Sequence, residues 1–568
     1  MSLVCCVFFN VNVSEMEVGI DFGTTFSTIC AVSGDIAGCI KIFGSPFVET
    51  QVFVDFKNSS FEIGKAAAAK LRSGHEGRLY VNPKRWVGVN ESNLAEFMEK
   101  LKPTYSVRMS TTTGLLIGGL GNGEDKLLPI TDVICMFLRG LIKECEFQTG
   151  KAVTGAVVTV PADYNSYKRA FVITALRGLG VPVRAIVNEP TAAAIHSLAK
   201  LRLDDLFVSV FDFGGGTFDA SFVKKRGDIL GVIYSVGDNF LGGRDIDREV
   251  GNRLSQLTDG KISPANLILY SSVVKEDVST NPSQREHLIP TEDGVVSVSF
   301  TAEDLDEIVK PFAYKAREVF EKGAQRFSPD ASVAVLTGGS SALREVRRVL
   351  SESKYISKVL FDAADFRASV AIGAKIYSDI LTGKSKLRLV DSLTNTLSDE
   401  INGFVPIVIF PKGCPIPCSY STSYNVEGNT VVYGVYEGEK NRSYLNELTF
   451  SGVYTHSDAK RRSEVAKYDI SIDGTMELSV NGIKLINTLV PPEPSQFSKD
   501  AQYEISRGRV IAQAVEVYTR QINLIKSIKL QTDDIKTGSN KFKDTKIPAN
   551  FDRITKWHQE VATRSLPG

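Results

Sequence analysis

Phe211-Asp212-Phe213-Gly214-Gly215-Gly216-Thr217-Phe218-Asp219 decides how this chain is read. An apolar run, Leu206 to Phe211, leads into it and reads as a strand. An earlier stretch is nearly its copy: Val18 to Ile20 leads into Asp21-Phe22-Gly23-Thr24-Thr25-Phe26-Ser27. A third loop, Thr337-Gly338-Gly339-Ser340-Ser341, follows Val333 to Leu336. The repeat of strand, Asp, Phe, Gly and Thr is internal duplication, which implies two similar half-structures facing one cleft. Glycines let backbone N–H groups approach phosphate oxygens, and adjacent amides form anion-binding nests. Threonine hydroxyls add donors. Asp21 and Asp212 stand where a carboxylate could hold a hydrated Mg²⁺ against phosphates. One such turn is ordinary chain reversal. Three in this order point to a nucleoside triphosphate.

Bulk properties narrow the class. A chain of 568 residues holds several domains with ample core. Lys plus Arg and Asp plus Glu are equal at 66 each, so bulk charge argues for neither nucleic acid nor an anionic membrane. No apolar run reaches bilayer length, and Leu3 to Phe9 lacks the flanks of a signal peptide. The eight cysteines are scattered, with no spacing typical of a disulfide framework or zinc site. They read as reduced thiols in a reducing compartment.

Met16 precedes the first strand, so residues 1–15 read as an N-terminal extension. Strands and helices alternate over residues 16–383. Val153 to Val160 reads as a buried parallel strand, and Thr131 to Phe147 as a helix with Thr131 as its N-cap. Pro190 suits the first turn of a helix. Lys384 to Asp391 reads as a short linker. Residues 392–490 alternate with period two around turns such as Asp473-Gly474, which marks an antiparallel β domain. Pro491, Pro492 and Pro494 then break the chain. In residues 491–568 only Ala501 to Leu530 has a helical pattern. It reads as detached by the prolines and free to dock on a partner.

Six strings carry a family resemblance: Ile20 to Ser27, Val157 to Ala162, Asn188 to Ala194, Asp212 to Asp219, Gly237 to Gly243, and Gly338 to Ser340. With them the chain resembles the seventy-kilodalton heat-shock chaperones, and most nearly the divergent homologues encoded by closteroviruses of the ampelovirus type. The resemblance covers 16–385 closely and 385–490 more loosely. It implies an α/β actin-like ATPase fold with duplicated subdomains, then a β-sandwich and a short helical C-terminal segment.

Residue by residue, the resemblance implies that Gly23, Thr24, Thr25 and Phe26 hold phosphates from one side, and Gly214, Gly215, Gly216 and Thr217 from the other. Asp21 and Asp212 would reach Mg²⁺ through water. Lys84, within Asn82-Pro83-Lys84-Arg85, would orient the attacking water and stabilise phosphate charge. Glu189 and Thr217 would position that water, with Asp219 supporting the metal and base network. Gly242 and Gly243 would lie near ribose and phosphates, Lys275 and Ser279 would reach the nucleoside, and Gly338, Gly339 and Ser340 would approach the base.

The nucleoside side departs from the family. Its two adenine-stacking arginines match Glu276 and Ala342, and two further polar contacts match Ser272 and Arg367. Losing two guanidinium stacks costs about 1–4 kcal/mol, up to about a thousandfold in affinity. Arg344 or Arg367 could rebuild one side.

The expected function is therefore a viral chaperone-like ATPase using ATP and Mg²⁺. It would act in virion assembly and cell-to-cell movement, with coat proteins, minor coat proteins, other virion-tail proteins and host movement machinery as partners. The expected locations are host cytoplasm, virion and plasmodesmata. The alternative is a structural virion protein with the same fold and little turnover. A small-molecule kinase is disfavoured by the chaperone-type strings at 157–162 and 188–194.

Overall fold

The computed structural model of the protein describes residues 15–504, apart from 34–35, 122–123, 200–204, 239, 292–293, 328–331, 362–365, 402–404, 443–444 and 458. It is a mixed α/β structure whose two large sheets share one plan. In the first, Glu15–Asp21 pairs antiparallel with Phe26–Ser33 and parallel with Ala152–Val160, and Val183–Asn188 and Ile36–Cys39 flank them. In the second, Asp205–Phe213 pairs antiparallel with Phe218–Arg226 and parallel with Ser332–Thr337, and Ile356–Phe361 and Ile229–Asp238 flank them. Each central strand thus ends in a glycine loop at the same place in its sheet. These strands are apolar on both faces because helices cover both sides. Helices Glu189–Ala199 and Ser369–Leu381 lie between the sheets and cross tightly. At the crossing a β-carbon on Gly373 would stand 1.7 Å from the carbonyl oxygen of Ala192, so only glycine fits.

Residues 397–485 form two antiparallel sheets around one core. One holds Val405–Phe410, Leu397–Ile401, Thr430–Glu437 and Glu447–Thr455, the other Cys418–Val426, Arg462–Ile470, Met476–Val480 and Ile483–Lys484. Val435, Phe450, Tyr468, Leu478 and Val480 fill the space between them.

Four expectations are corrected. Part of the stretch read as a linker is a strand: Arg388–Ser392 joins the second large sheet, parallel to Ile229–Asp238, and then pairs with Pro415–Ile416. The prolines at 491–494 do not detach residues 495–504. Ser495 caps the short helix Gln496–Asp500 and bonds Asp132, Phe497 stacks on Phe56 at 5.6 Å, and Gln502–Tyr503 adds a strand beside Ser60–Ile63. Residues 502–503 are therefore extended, not helical, and the rest of the expected helix to Leu530 lies outside the described residues. Thr131 is not an N-cap: the helix runs Ile130–Thr149 and buries Thr131 in its first turn. Finally, Cys30 and Cys39 are joined by a disulfide. They are cross-strand partners, a relation set by register and invisible in spacing. Cys135, Cys145, Cys414 and Cys418 are free, and Cys5 and Cys6 lie outside the described residues.

Candidate functional site

The site is built where the two central strands end. Asp21 closes the first and accepts a hydrogen bond from Thr159 Oγ1 at 3.3 Å. Asp212 and Asp219 are cross-strand partners on either side of the second loop, so the hairpin itself sets their two carboxyls side by side. Glu189 opens helix Glu189–Ala199. Lys84 sits on the tight turn Pro83–Trp86, which starts at Asn82 in a left-handed conformation, φ +51°. Its Nζ donates to Glu189 Oε1 and lies 5.5 Å from the centre of the Phe22 ring. Lys84, Glu189, Asp212 and Asp219 are all buried.

This is a crowd of carboxylates around one ammonium. Burial, then the charge of Glu189, pushes Asp21 up to about 7, against the pull of Lys84 and Thr159. Asp212 is held well above the usual carboxylate range by burial, Glu189 and Asp21. Asp219 is likewise raised by burial, Asp163, Glu189 and Asp212. Asp219 Oδ1 is buried with no hydrogen-bond partner. An orphaned buried oxygen among repelling carboxylates calls for a cation, so the residues fit Mg²⁺. Among the described residues no group of three or more His, Cys, Asp or Glu can ligate a metal directly.

The glycine loops interlock above these groups. Gly214 N–H donates to Thr217 O at 3.0 Å and closes the second loop. Ser340 Oγ donates to Gly214 O at 2.9 Å, and Gly243 N–H donates to the same oxygen at 3.0 Å. The second loop, the third loop and the start of helix Gly243–Leu257 thus meet at one carbonyl. A β-carbon on Gly242 would stand 2.5 Å from the Gly216 backbone, and one on Gly216 would stand 3.1 Å from Thr24. In the first loop Gly23 N–H donates to Ser27 Oγ at 3.1 Å, Thr50 Oγ1 donates to Gly23 O at 2.9 Å, and Phe26 begins the next strand. Gly338, with φ +81°, passes close to Asp212, and nothing crowds Gly339.

The residues expected on the nucleoside side are held more loosely. Lys275 Nζ pairs with Asp247 at 2.6 Å and reaches Gly243 O at 3.4 Å. Ser279 is exposed and donates back to Glu276 O of its own helix, so it does not join the other site residues. Glu276 is exposed. Arg344 is tied to Asp306. Arg367 lies over the rings of Phe47 and Phe26, at 4.4 and 5.5 Å.

Two site residues escaped the sequence reading. Arg244 donates to Thr25 Oγ1 at 2.8 Å and to Asn82 Oδ1. Arg85 approaches Gly216. The available signal was adjacency: Arg85 follows Lys84, and Arg244 follows the Gly242-Gly243 pair.

The sequence profile of the family described as "Hsp70 protein" matches residues 17–488. The chain is 53% identical over 536 residues to the movement protein Hsp70h of Grapevine leafroll-associated virus 3, covering 94% of this chain and 98% of the relative. It is 29% identical to the movement protein Hsp70h of Beet yellows virus, covering 90% and 89%. A chaperone protein HscA homolog of Laribacter hongkongensis is 28% identical, covering 75% and 69%.

Proposed function

The chain belongs to the Hsp70 family and is a homologue of viral Hsp70h proteins, and on that premise we propose that it binds ATP with Mg²⁺ and hydrolyses it. The observation that carries this reading is the set of half-buried Asp21 and buried Asp212, Asp219 and Glu189 around buried Lys84, beside interlocked glycine loops. We read the paired sheets as an actin-like nucleotide-binding domain over 16–383, 384–391 as the connector, 392–490 as a β-sandwich like a substrate-binding domain, and 491–568 as the C-terminal segment.

In this reading Gly23 to Phe26 and Gly214 to Thr217 hold the phosphates, with Gly242, Gly243, Lys275 and Gly338 to Ser340 toward the nucleoside. Asp21 and Asp212 would hold the hydrated cation, which supplies charge neutralisation to the phosphates. Glu189 and Thr217 orient water and keep it in line. Lys84 is fixed by Glu189, so its ammonium is already aimed when negative charge develops, and no reorganisation is needed at that moment. Asp219 presents its free oxygen to the same water network. A radiolabelled ATP hydrolysis assay of wild type against Lys84→Ala tests the proposal. Hydrolysis absent from the wild type, or equal in both, counts against it.

From the viral relatives, whose names describe movement proteins, we propose a role in cell-to-cell movement and in virion assembly. Coat and minor coat proteins would be its partners, in host cytoplasm, virion and plasmodesmata. The exposed Ser279 and Glu276 favour a second reading, a virion structural protein with little turnover. Tight particle incorporation of a Lys84→Ala protein would support that one.

A further inference from the structure

Arg244 stands at the start of helix Gly243–Leu257, on the second half of the molecule, yet its side chain donates to residues of the first half. Three bonds define it. Its backbone N–H donates to Gly215 O at 2.9 Å, in the second glycine loop. Its Nε donates to Thr25 Oγ1 at 2.8 Å, in the first glycine loop. Its Nη2 donates to Asn82 Oδ1. Asn82 is the left-handed residue that opens the Pro83–Trp86 turn, and its carbonyl accepts from Arg85 N–H at 3.1 Å. One residue therefore joins both phosphate loops to the turn that carries Lys84.

The chemistry favours a permanent cation here. A guanidinium offers a rigid fork of donors, so it can hold two acceptors on different elements at a fixed separation, which an ammonium on a flexible stem cannot. Burial and the neighbouring Arg85 lower its pKa to about 10, while Asp247, Tyr105 and Asp245 oppose that shift, so it stays charged at neutral pH. The left-handed backbone at Asn82 is unfavourable for a non-glycine residue, and a bond to its side chain from across the cleft helps hold it.

We propose that Arg244 is a positioning residue: it clasps the two halves through Thr25 and Asn82 and so fixes the turn that aims Lys84. The inference rests on the ATPase reading only for its kinetic consequence; the clasp itself is made by protein groups alone. When the halves part, Asn82 loses its donor and the Lys84 turn is released. Cleft closure and lysine alignment are then one event.

The test has two arms on the full-length chain. The first needs no nucleotide: hydrogen exchange is followed at the amides of Arg85, Val87 and Val89, all bonded within or just after the turn. Arg244→Gln is expected to speed their exchange about tenfold or more, with amides in helix Ser369–Leu381 unchanged. Arg244→Lys, which keeps charge but not the fork, should restore little of the protection. Unchanged exchange at 85–89 overturns the clasp, as does full restoration by lysine. The second arm is a single-turnover cycle of Arg244→Gln, Asn82→Gly and the double variant; glycine tolerates the φ at 82 and removes only the acceptor. The proposal expects the rate constant to fall about tenfold in each single variant, with the double variant no slower and ADP affinity within about twofold of wild type. Additive losses, or a loss confined to binding, overturn it. A wild type that does not hydrolyse ATP would defeat the ATPase reading while the exchange arm still decides the clasp. A variant that misfolds reveals itself by faster exchange in helix Ser369–Leu381, and Arg244→Lys with Asn82→Gly then carries the same comparison.

Discussion

Among the described residues, two groups of largely buried carboxylates each gather around one cation. In the cleft, Asp21, Asp212, Asp219 and Glu189 surround Lys84. At the seam with the β domain, Asp391, Glu437 and Asp473 surround Arg169. The seam group completes itself. Asp391 accepts from Ser392 N–H at 2.8 Å and Asn188 Nδ2 at 3.2 Å, Glu437 from Ser166 N–H at 3.0 Å, and Asp473 from Ile186 N–H at 2.7 Å. Arg169 donates to Tyr164 O at 2.9 Å, to Asp473 O at 3.4 Å and to Asn188 Oδ1. The cleft group leaves Asp219 Oδ1 without a partner. Similar charge thus serves opposite ends. A self-satisfied network fixes one arrangement, whereas an unsatisfied one is kept ready for a ligand's cation.

The comparison breaks most sharply at the two cations. Arg169→Ala leaves buried carboxylates uncompensated and should cost about 3–5 kcal/mol. Unfolding in urea, followed by fluorescence and by proteolysis between residues 384 and 395, should show it. A loss under about 1 kcal/mol would mean the seam is not self-contained. Lys84→Ala should behave differently. Stability should change little once Mg²⁺ is present, while ATP hydrolysis falls about tenfold or more. Equal single-turnover rates would make the cleft group merely structural.

Titration sharpens the contrast. Burial pushes Asp391 up to about 6 from an ordinary value of 3.8. The folded protein then keeps this proton where the unfolded chain has lost it. Between those two values the native state binds more protons, so stability falls as pH rises, and the penalty is complete above about 6. The expected loss is about 1–3 kcal/mol across that window. Asp391→Asn should flatten the slope of melting temperature against pH over this range. A slope unchanged in the variant would place the titration elsewhere.

The two groups also differ in how legible they were. The cleft group lies on short motifs, with aspartate, glycine and threonine at fixed spacing on strand ends. Asp21, Asp212 and Asp219 could be read directly, as could the duplicated strand plan. Arg169, Asp391, Glu437 and Asp473 are far apart along the chain and share no motif. Their meeting depends on how the β domain docks. The same reason hid the strand at Arg388–Ser392 and the return of residues 491–504 to the first lobe. Both are edge additions to sheets, made by short polar segments whose pattern carries no period long enough to read. The Cys30–Cys39 pair was hidden by strand register.

The smallest expected effect concerns the base. If the cleft recognises its ligand through charge and phosphate geometry, most of the affinity comes from the glycine loops and the cation held by the carboxylates. Discrimination between ATP and GTP must come from groups touching the purine. The residues proposed for that side are already engaged or exposed: Ser279 bonds its own helix, Glu276 is exposed, Lys275 is engaged by Asp247, and Arg344 is engaged by Asp306. Arg367 is the remaining arginine nearby, and its guanidinium is already shared between Phe47 and Phe26. A base contact lacking both hydrogen-bond readout and stacking separates purines by less than about 1.4 kcal/mol, a factor below about ten. Calorimetric titration with ATP and GTP at fixed Mg²⁺ reads this directly. A preference of about a hundredfold or more would require a purine pocket that these side chains do not build, and would put recognition in the nucleoside side rather than in the carboxylate group.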